Sequence, residues 1–207
     1  MKGLVTLVIV VLVAALLVEL AAVGGAWWLH RQGRFDEEIQ WLETVRPALA
    51  WDQALDRQID RLYRDRVRRE LDADRLDKAV QALRLARARA KSLGVRTDPD
   101  FVSLGIETFT RAADRMEAHG RLALAADWDD SLFVFAVRAQ QPHHRFAAVA
   151  AFVEGLDLRS RAGDPCAALA RVSWAKRGLG GEIPDFQPSV EEDLQIQCGR
   201  ARQNRRR

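Results

Sequence analysis

The sequence predicts an all-α protein in which one N-terminal transmembrane helix is followed by stacked antiparallel helix pairs. Three observations carry that expectation. Residues 3–29 are almost wholly apolar, interrupted only by Thr6 and Glu19. The remainder is dominated by Ala, Leu, Arg, Asp and Glu, which form helices readily, and it lacks the alternating Val/Ile/Thr runs of strands. Its apolar residues recur every three or four positions, the period of a helix with one buried face.

With 207 residues, the chain beyond the apolar run is long enough for one domain of ordinary size. The expected organisation is a membrane anchor over residues 1–30, a helical repeat-like domain over 31–180, and a loop, short helix and basic tail over 181–207. The 32 basic residues face 29 acidic ones, leaving a formal charge of +3. That balance argues against a chain built to bind nucleic acid.

A helix needs about 20 apolar residues to cross a bilayer core, and the N-terminal run meets that length. Trp27 and Trp28 close it at headgroup level, and His30, Arg31 and Arg34 follow in the aqueous layer. The competing reading is a secretory signal, with Lys2 as its basic start and Gly24-Gly25-Ala26 as a cleavage site. The run is long for a signal and Glu19 interrupts it, which favours an uncleaved, single-pass signal-anchor. A carboxylate within the bilayer costs a few kcal/mol unless it is paired or reaches water. Glu19 therefore either contacts a partner membrane helix, beside small residues Ala21, Ala22, Gly24 and Gly25, or lies close enough to the interface to be solvated.

Cations lie on both sides of the run, so they do not decide its orientation. The only cysteines, Cys166 and Cys198, form either a disulfide in an exported domain or two thiols in a reducing compartment. The expected location is a bacterial inner membrane with the soluble domain on the periplasmic side.

Along the soluble part, Ile39, Leu42 and Val45 mark a helix that Pro47 ends or bends. Leu55, Ile59, Leu62 and Tyr63 mark the next, and Leu76, Val80, Leu83 and Leu85, with Ala79, Ala82 and Ala86, the one after. Ser92-Leu93-Gly94 stops that helix, and Thr97-Asp98-Pro99-Asp100 opens another. Helices follow over 101–119, 128–140, 146–161 and 165–177, with Pro142 as punctuation. Gly178, Gly180, Gly181 and Pro184 make a loop, Ser189 with Glu192 forms a capping box, and Gly199 ends the last short helix.

A unit recurs within this series. Gly163-Asp164-Pro165-Cys166-Ala167-Ala168-Leu169 runs on to Val172 and Ala175, and Asp74-Arg75-Leu76-Asp77-Lys78-Ala79-Val80 to Leu83 and Ala86. Ala126-Asp127-Trp128-Asp129-Asp130-Ser131-Leu132 runs on to Phe135, and Gly33-Arg34-Phe35-Asp36-Glu37-Glu38-Ile39 to Leu42 and Val45. Each resembles the turn and second helix of the tetratricopeptide repeat, where a small residue such as Ala79 or Ala168 lets two helices approach. The matching positions Glu38, Ala79, Ser131 and Ala168 are spaced wider than the family's period of about 34 residues. The Trp–Leu–Gly–Tyr pattern of the family's first helix is not recognisable. The resemblance implies a solenoid whose surfaces receive a peptide or protein; the alternative is a helical bundle without repeat geometry.

The sequence holds no motif for catalysis, a metal or a cofactor. His143-His144 reads as part of a polar loop after Pro142, and Gly178-Leu179-Gly180-Gly181 lacks the Lys and helix of a phosphate loop. Asp129-Asp130 reads as a helix start, where carboxylates suit the dipole. Charges interleaved over residues 57–91 read as a solvated helix surface. In the tail, Arg205-Arg206-Arg207 would touch anionic lipid, meet an acidic partner, or simply end the chain in solvent.

The functional expectation is a membrane-tethered, non-catalytic scaffold or adaptor that binds a protein or peptide. Arg64, Arg68, Arg84 and Arg87 on polar helix faces, with Trp128, are the expected contacts, and no nucleic acid is involved. In the alternative, the chain is a structural subunit of a bacterial envelope complex, held by its transmembrane helix through Glu19.

Overall fold

The computed structural model describes residues 2–95 and 98–204, with side chains from residue 6 onward. Among the described residues the chain is helical and has no strand. It divides into two compact units: Met1–Asp74 with Gln81–Arg96, and Arg75–Val80 with Thr97–Arg207. Helix α4 (Leu76–Leu93) contributes to both.

The first unit is built on α1 (Lys2–Arg31), whose 30 residues span about 45 Å at 1.5 Å per residue. Gly33, with φ of 71°, turns the chain, and α2 (Phe35–Val45) begins with Asp36, Glu37 and Glu38 at its positive end. Pro47 then tightens the chain into a 3-10 turn, Arg46–Leu49. Asp52 caps α3 (Gln53–Asp72) by accepting from the Ala54 amide at 2.7 Å.

Helix α2 folds back along the end of α1. His30 meets Glu38 at 3.0 Å, and the Trp41 indole N–H donates to the Ala22 carbonyl oxygen at 3.1 Å. Ala22 and Ala26 are buried with Ile39, Leu42, Leu49, Leu55, Ile59 and Leu62, and Val18, Trp41 and Val45 pack around them. A Cβ on Gly25 would come within 2.5 Å of the Trp41 ring, whereas one on Gly24 would meet nothing. So Ala22 and Gly25, expected to face a partner membrane helix, are used inside the chain. Before this docked stretch the apolar side chains of α1, among them Leu7, Val10, Leu12, Leu16 and Leu17, are exposed. Residues 6–31 are long and apolar enough to cross a membrane.

In the second unit α5 (Pro99–Ala118), α6 (Leu122–Ala136), α7 (Pro142–Arg161), α8 (Pro165–Leu179) and α9 (Pro188–Asn204) pack on their neighbours in sequence. Proline opens four of them, where its missing N–H costs nothing. Neighbouring helices run antiparallel. Phe101 and Phe109 of α5 meet Phe135 and Trp128 of α6 respectively, and Phe133 of α6 stacks on Phe152 of α7. On α8 and α9, Lys176 pairs with Glu191 at 2.5 Å, and a disulfide joins Cys166 to Cys198, whose Cα atoms lie 4.7 Å apart.

Several expected boundaries move. Helix α6 starts at Leu122, not at residue 128, because Gly120 (φ 69°) reverses the chain and Leu122-Ala123-Leu124-Ala125-Ala126 forms helix without a polar cap. It also stops at Ala136, short of residue 140. Pro142 is the first residue of α7, so His143 and His144 stand in a helical turn and not in a loop. Pro188 opens α9, so Ser189 lies inside it and forms no capping box. Gly178 and Gly199 sit inside helices, a cost of about 1 kcal/mol each that packing and the disulfide absorb. Chain reversal after α8 falls to Gly180, with φ of 85°.

Candidate functional site

The charged centre of the second unit lies on α6. This helix carries Asp127, Asp129 and Asp130 in the middle of an apolar segment, and the last two are buried. Asp129-Asp130 is therefore no helix start, and the dipole does not account for the pair. Asp130 Oδ2 accepts from Arg159 of α7 at 2.7 Å and from Arg171 Nε of α8 at 2.7 Å. Arg159 also donates to Asp127 at 2.7 Å, to the Ala126 carbonyl at 3.3 Å and to the Gly155 carbonyl at 3.4 Å. The Arg171 guanidinium lies over Trp174, 4.4 Å from the ring centre. Burial pushes the Asp130 carboxyl above its ordinary value, against the pull of both arginines.

Asp129, about 100° round the helix from Asp130, has no such hydrogen-bonded partner. Only 5% of its surface is exposed, and its Oδ2 is buried without a hydrogen-bond partner. Gly155 lets α7 close over it: a Cβ there would sit 3.0 Å from Asp129 Cβ and 3.3 Å from the Ala126 carbonyl oxygen. Burial raises the Asp129 carboxyl to about 7, helped by Glu154, Asp130 and Asp114 and opposed by Arg159.

This carboxyl lines a cleft of about 260 Å³ between α5 and α7, with α6 as its floor. Asp129 and Leu132 form the floor, and Ile106, Ala113, Ala147 and Ala151 are among the apolar wall residues. Short alanine side chains leave the space that larger residues would fill. Asp114 and Glu154 stand exposed at the rim, and among the described residues neither is paired with a cation. Two polar bridges from α5 to α7 bracket the cleft. Ser103 meets His144 at 2.9 Å one turn before Ile106, and Arg161 donates to Glu117 at 2.9 Å at the far end. His144 is buried; burial, with His143 adding to it, lowers its imidazole from the usual value.

The site offers concentrated negative charge over an apolar floor and walls. Among the described residues no group of His, Cys, Asp or Glu has the arrangement of a metal site. The Ser103–His144 contact joins a hydroxyl to an imidazole, and among the described residues no carboxylate is bonded to that ring.

The residues expected from sequence lie elsewhere. Arg64 is withdrawn from the surface: it is buried and bonded to Asp60 at 2.6 Å, because α3 packs that face inward. Arg68 is exposed and pairs with Asp65 at 3.2 Å. Arg84 and Arg87 are exposed on α4. Trp128 is half-buried and stacked on Phe109, with ring centres 6.1 Å apart, so it serves as core. On α1, Glu19 is half-buried, Trp27 and Trp28 are exposed, and Arg31 lies over Trp27 at 5.3 Å. Arg205, Arg206 and Arg207 lie outside the described residues.

Comparison of the chain with protein-family models, with curated proteins and with solved structures finds no match.

The raised Asp129 carboxyl fixes the sign of a pH effect on stability. An unfolded aspartate titrates near ~3.9, so between there and about 7 the folded chain holds a proton that the unfolded chain lacks. Asp129 therefore favours folding at low pH, and that contribution fades as pH rises through 7. Asp129→Asn removes this slope, so the variant should gain on the parent in urea unfolding at pH 8 and not at pH 4. Parallel stability curves for the two proteins across that range would contradict the assignment.

Proposed function

We propose that the protein is a membrane-tethered, non-catalytic interaction module whose α5–α7 cleft receives a basic side chain from a protein or peptide. The observation that carries this reading is Asp129, buried at the cleft floor with an unpartnered oxygen and flanked by two uncompensated carboxylates. A lysine or arginine has the matching anatomy, an apolar stem for the alanine and leucine surface and a cation for the carboxylates. The volume suits one long side chain rather than a folded surface, so the partner offers an exposed or extended segment. Nearest-neighbour packing of α5 to α9 is compatible with a repeat-like stack of the tetratricopeptide kind.

Tethering falls to α1, whose exposed apolar stretch ends in two tryptophans followed by arginines, the order a bilayer surface favours. The disulfide supports a domain outside the cytoplasm, as on the periplasmic side of a bacterial inner membrane. The alternative of a subunit held by its membrane helix loses support, because Ala22 and Gly25 are occupied by Trp41 and its neighbours.

Calorimetry with a lysine-containing peptide tests the cleft. Binding should tighten roughly tenfold between pH 6 and pH 8 as Asp129 ionises. Asp129→Asn should weaken it by at least as much and flatten the pH dependence. Equal affinity in the variant, or a pH-independent parent, would refute the cleft. For the tether, a reporter active only outside the cytoplasm should be active when fused to the C-terminus, and Cys166 and Cys198 should resist alkylation until reduced. A silent reporter with freely labelled thiols would put the domain inside.

A further inference from the structure

A second pocket lies in the first unit, between the last turns of α1 and one face of α3. Val23, Trp27 and His30 form one wall and Ala54, Arg57, Arg61 and Leu62 the other, around a space of about 560 Å³. We propose that this pocket holds the phosphate of an anionic phospholipid headgroup between Arg57 and Arg61. The inference rests on the reading that α1 lies in a bilayer.

Charge pairing on α3 is the first observation. The helix carries six arginines, and four are engaged: Arg64 with Asp60, Arg66 with Asp36, Arg68 with Asp65, and Arg69 over the Phe35 ring. Arg57 and Arg61, one turn apart on the exposed face, are the two without an ion pair among the described residues. The acidic residues in the pocket wall do not neutralise them, since Glu38 is held by His30 and Asp65 by Arg68. Two cations on one helical face, left unpaired in a concave site, suit a phosphate that accepts from both guanidinium groups.

Depth along α1 is the second. Val18 already packs against the core of the folded unit, so polar elements begin at that level. Residues 3–17 ahead of it reach about 22 Å, most of the ~30 Å of a bilayer core. Val23, the first α1 residue of the pocket, then stands about 9 Å beyond that stretch, at headgroup depth. The Arg66–Asp36 and Arg69–Phe35 contacts hold the far end of α3 beside the start of α2, so Ala54 and Arg57 fall toward Val23. Trp27 lines the pocket, and Trp51, just before α3, is 63% exposed; indole rings are favoured at a bilayer interface.

The apolar wall decides between sources of phosphate. Val23, Trp27, Ala54 and Leu62 give inorganic phosphate nothing, whereas a glycerophospholipid lays its glycerol and first methylenes along them.

The test uses the full-length chain in nanodiscs of phosphatidylcholine with phosphatidylglycerol, released into mild detergent and weighed intact by mass spectrometry. The parent should retain one phosphatidylglycerol. The double variant Arg57→Gln/Arg61→Gln should lose retention roughly tenfold or more, while Arg84→Gln/Arg87→Gln, on the exposed face of α4, keeps it. Equal retention by the first variant, or none by a parent that resists carbonate extraction from membranes, would overturn the headgroup site alone. A parent that washes out of membranes in carbonate would overturn the tether and this site with it. Displacement of the lipid by millimolar inorganic phosphate would show that the pocket reads phosphate only and overturn the commitment to a lipid.

Discussion

The second unit is organised by the pairing of Arg159 with Asp130 and Asp127. Helix α6 carries three carboxylates in an otherwise apolar stretch, and burying a charge without a partner is far more costly than burying a methylene. Arg159 brings its guanidinium from α7 to two of these carboxylates and to two backbone carbonyls, and Arg171 adds a contact from α8. Breaking such a buried pair costs about 3–5 kcal/mol, because the surviving charge stays buried. The arrangement fixes how α7 and α8 sit against α6, and Gly155 allows the close approach it requires. It also leaves the third carboxylate, Asp129, with a buried oxygen that has no hydrogen-bond partner. The cleft acquires its chemistry from that imbalance.

A different constraint shapes the first unit. One helix begins as a lipid-compatible rod with exposed apolar side chains and ends as a packed element of a water-facing fold. Small residues make the change: Ala22, Gly25 and Ala26 bring α2 close enough for Trp41 to reach a main-chain carbonyl. The result places polar helices directly beside the point where the apolar rod would leave a membrane. An arginine-lined pocket in this unit and an acidic cleft in the other carry opposite charge.

Sequence alone showed the helices because their periodicity and composition are local properties. Pro99 and Asp98, Pro165 and Asp164, and the stop at Gly94 could be read from residue type. The stops of α8 and α9 could not be placed, since Gly178 and Gly199 look like breakers but lie inside those helices. The site stayed hidden for a related reason. Asp130 and Arg159 are 29 residues apart and Ser103 and His144 are 41 apart, separations that no motif spans. A local signal was nevertheless present, in three carboxylates set between Leu122-Ala123-Leu124-Ala125-Ala126 and Leu132-Phe133-Val134-Phe135-Ala136. Charges inside an apolar helix point to buried partners. Arg64 misled for the opposite reason: α3 is so rich in arginine that periodicity does not reveal which ones turn inward.

The central claim is that Asp129 remains a partly protonated, unpartnered carboxyl awaiting a cation. Carbon-13 NMR of aspartate-labelled protein, with the Asp129 signal assigned through its Asn variant, measures this directly. The account predicts a midpoint of about 7 for that carboxyl, falling when n-butylamine is added as a stand-in for a lysine side chain. A midpoint near ~4, the ordinary aspartate value, unmoved by the amine, would contradict it.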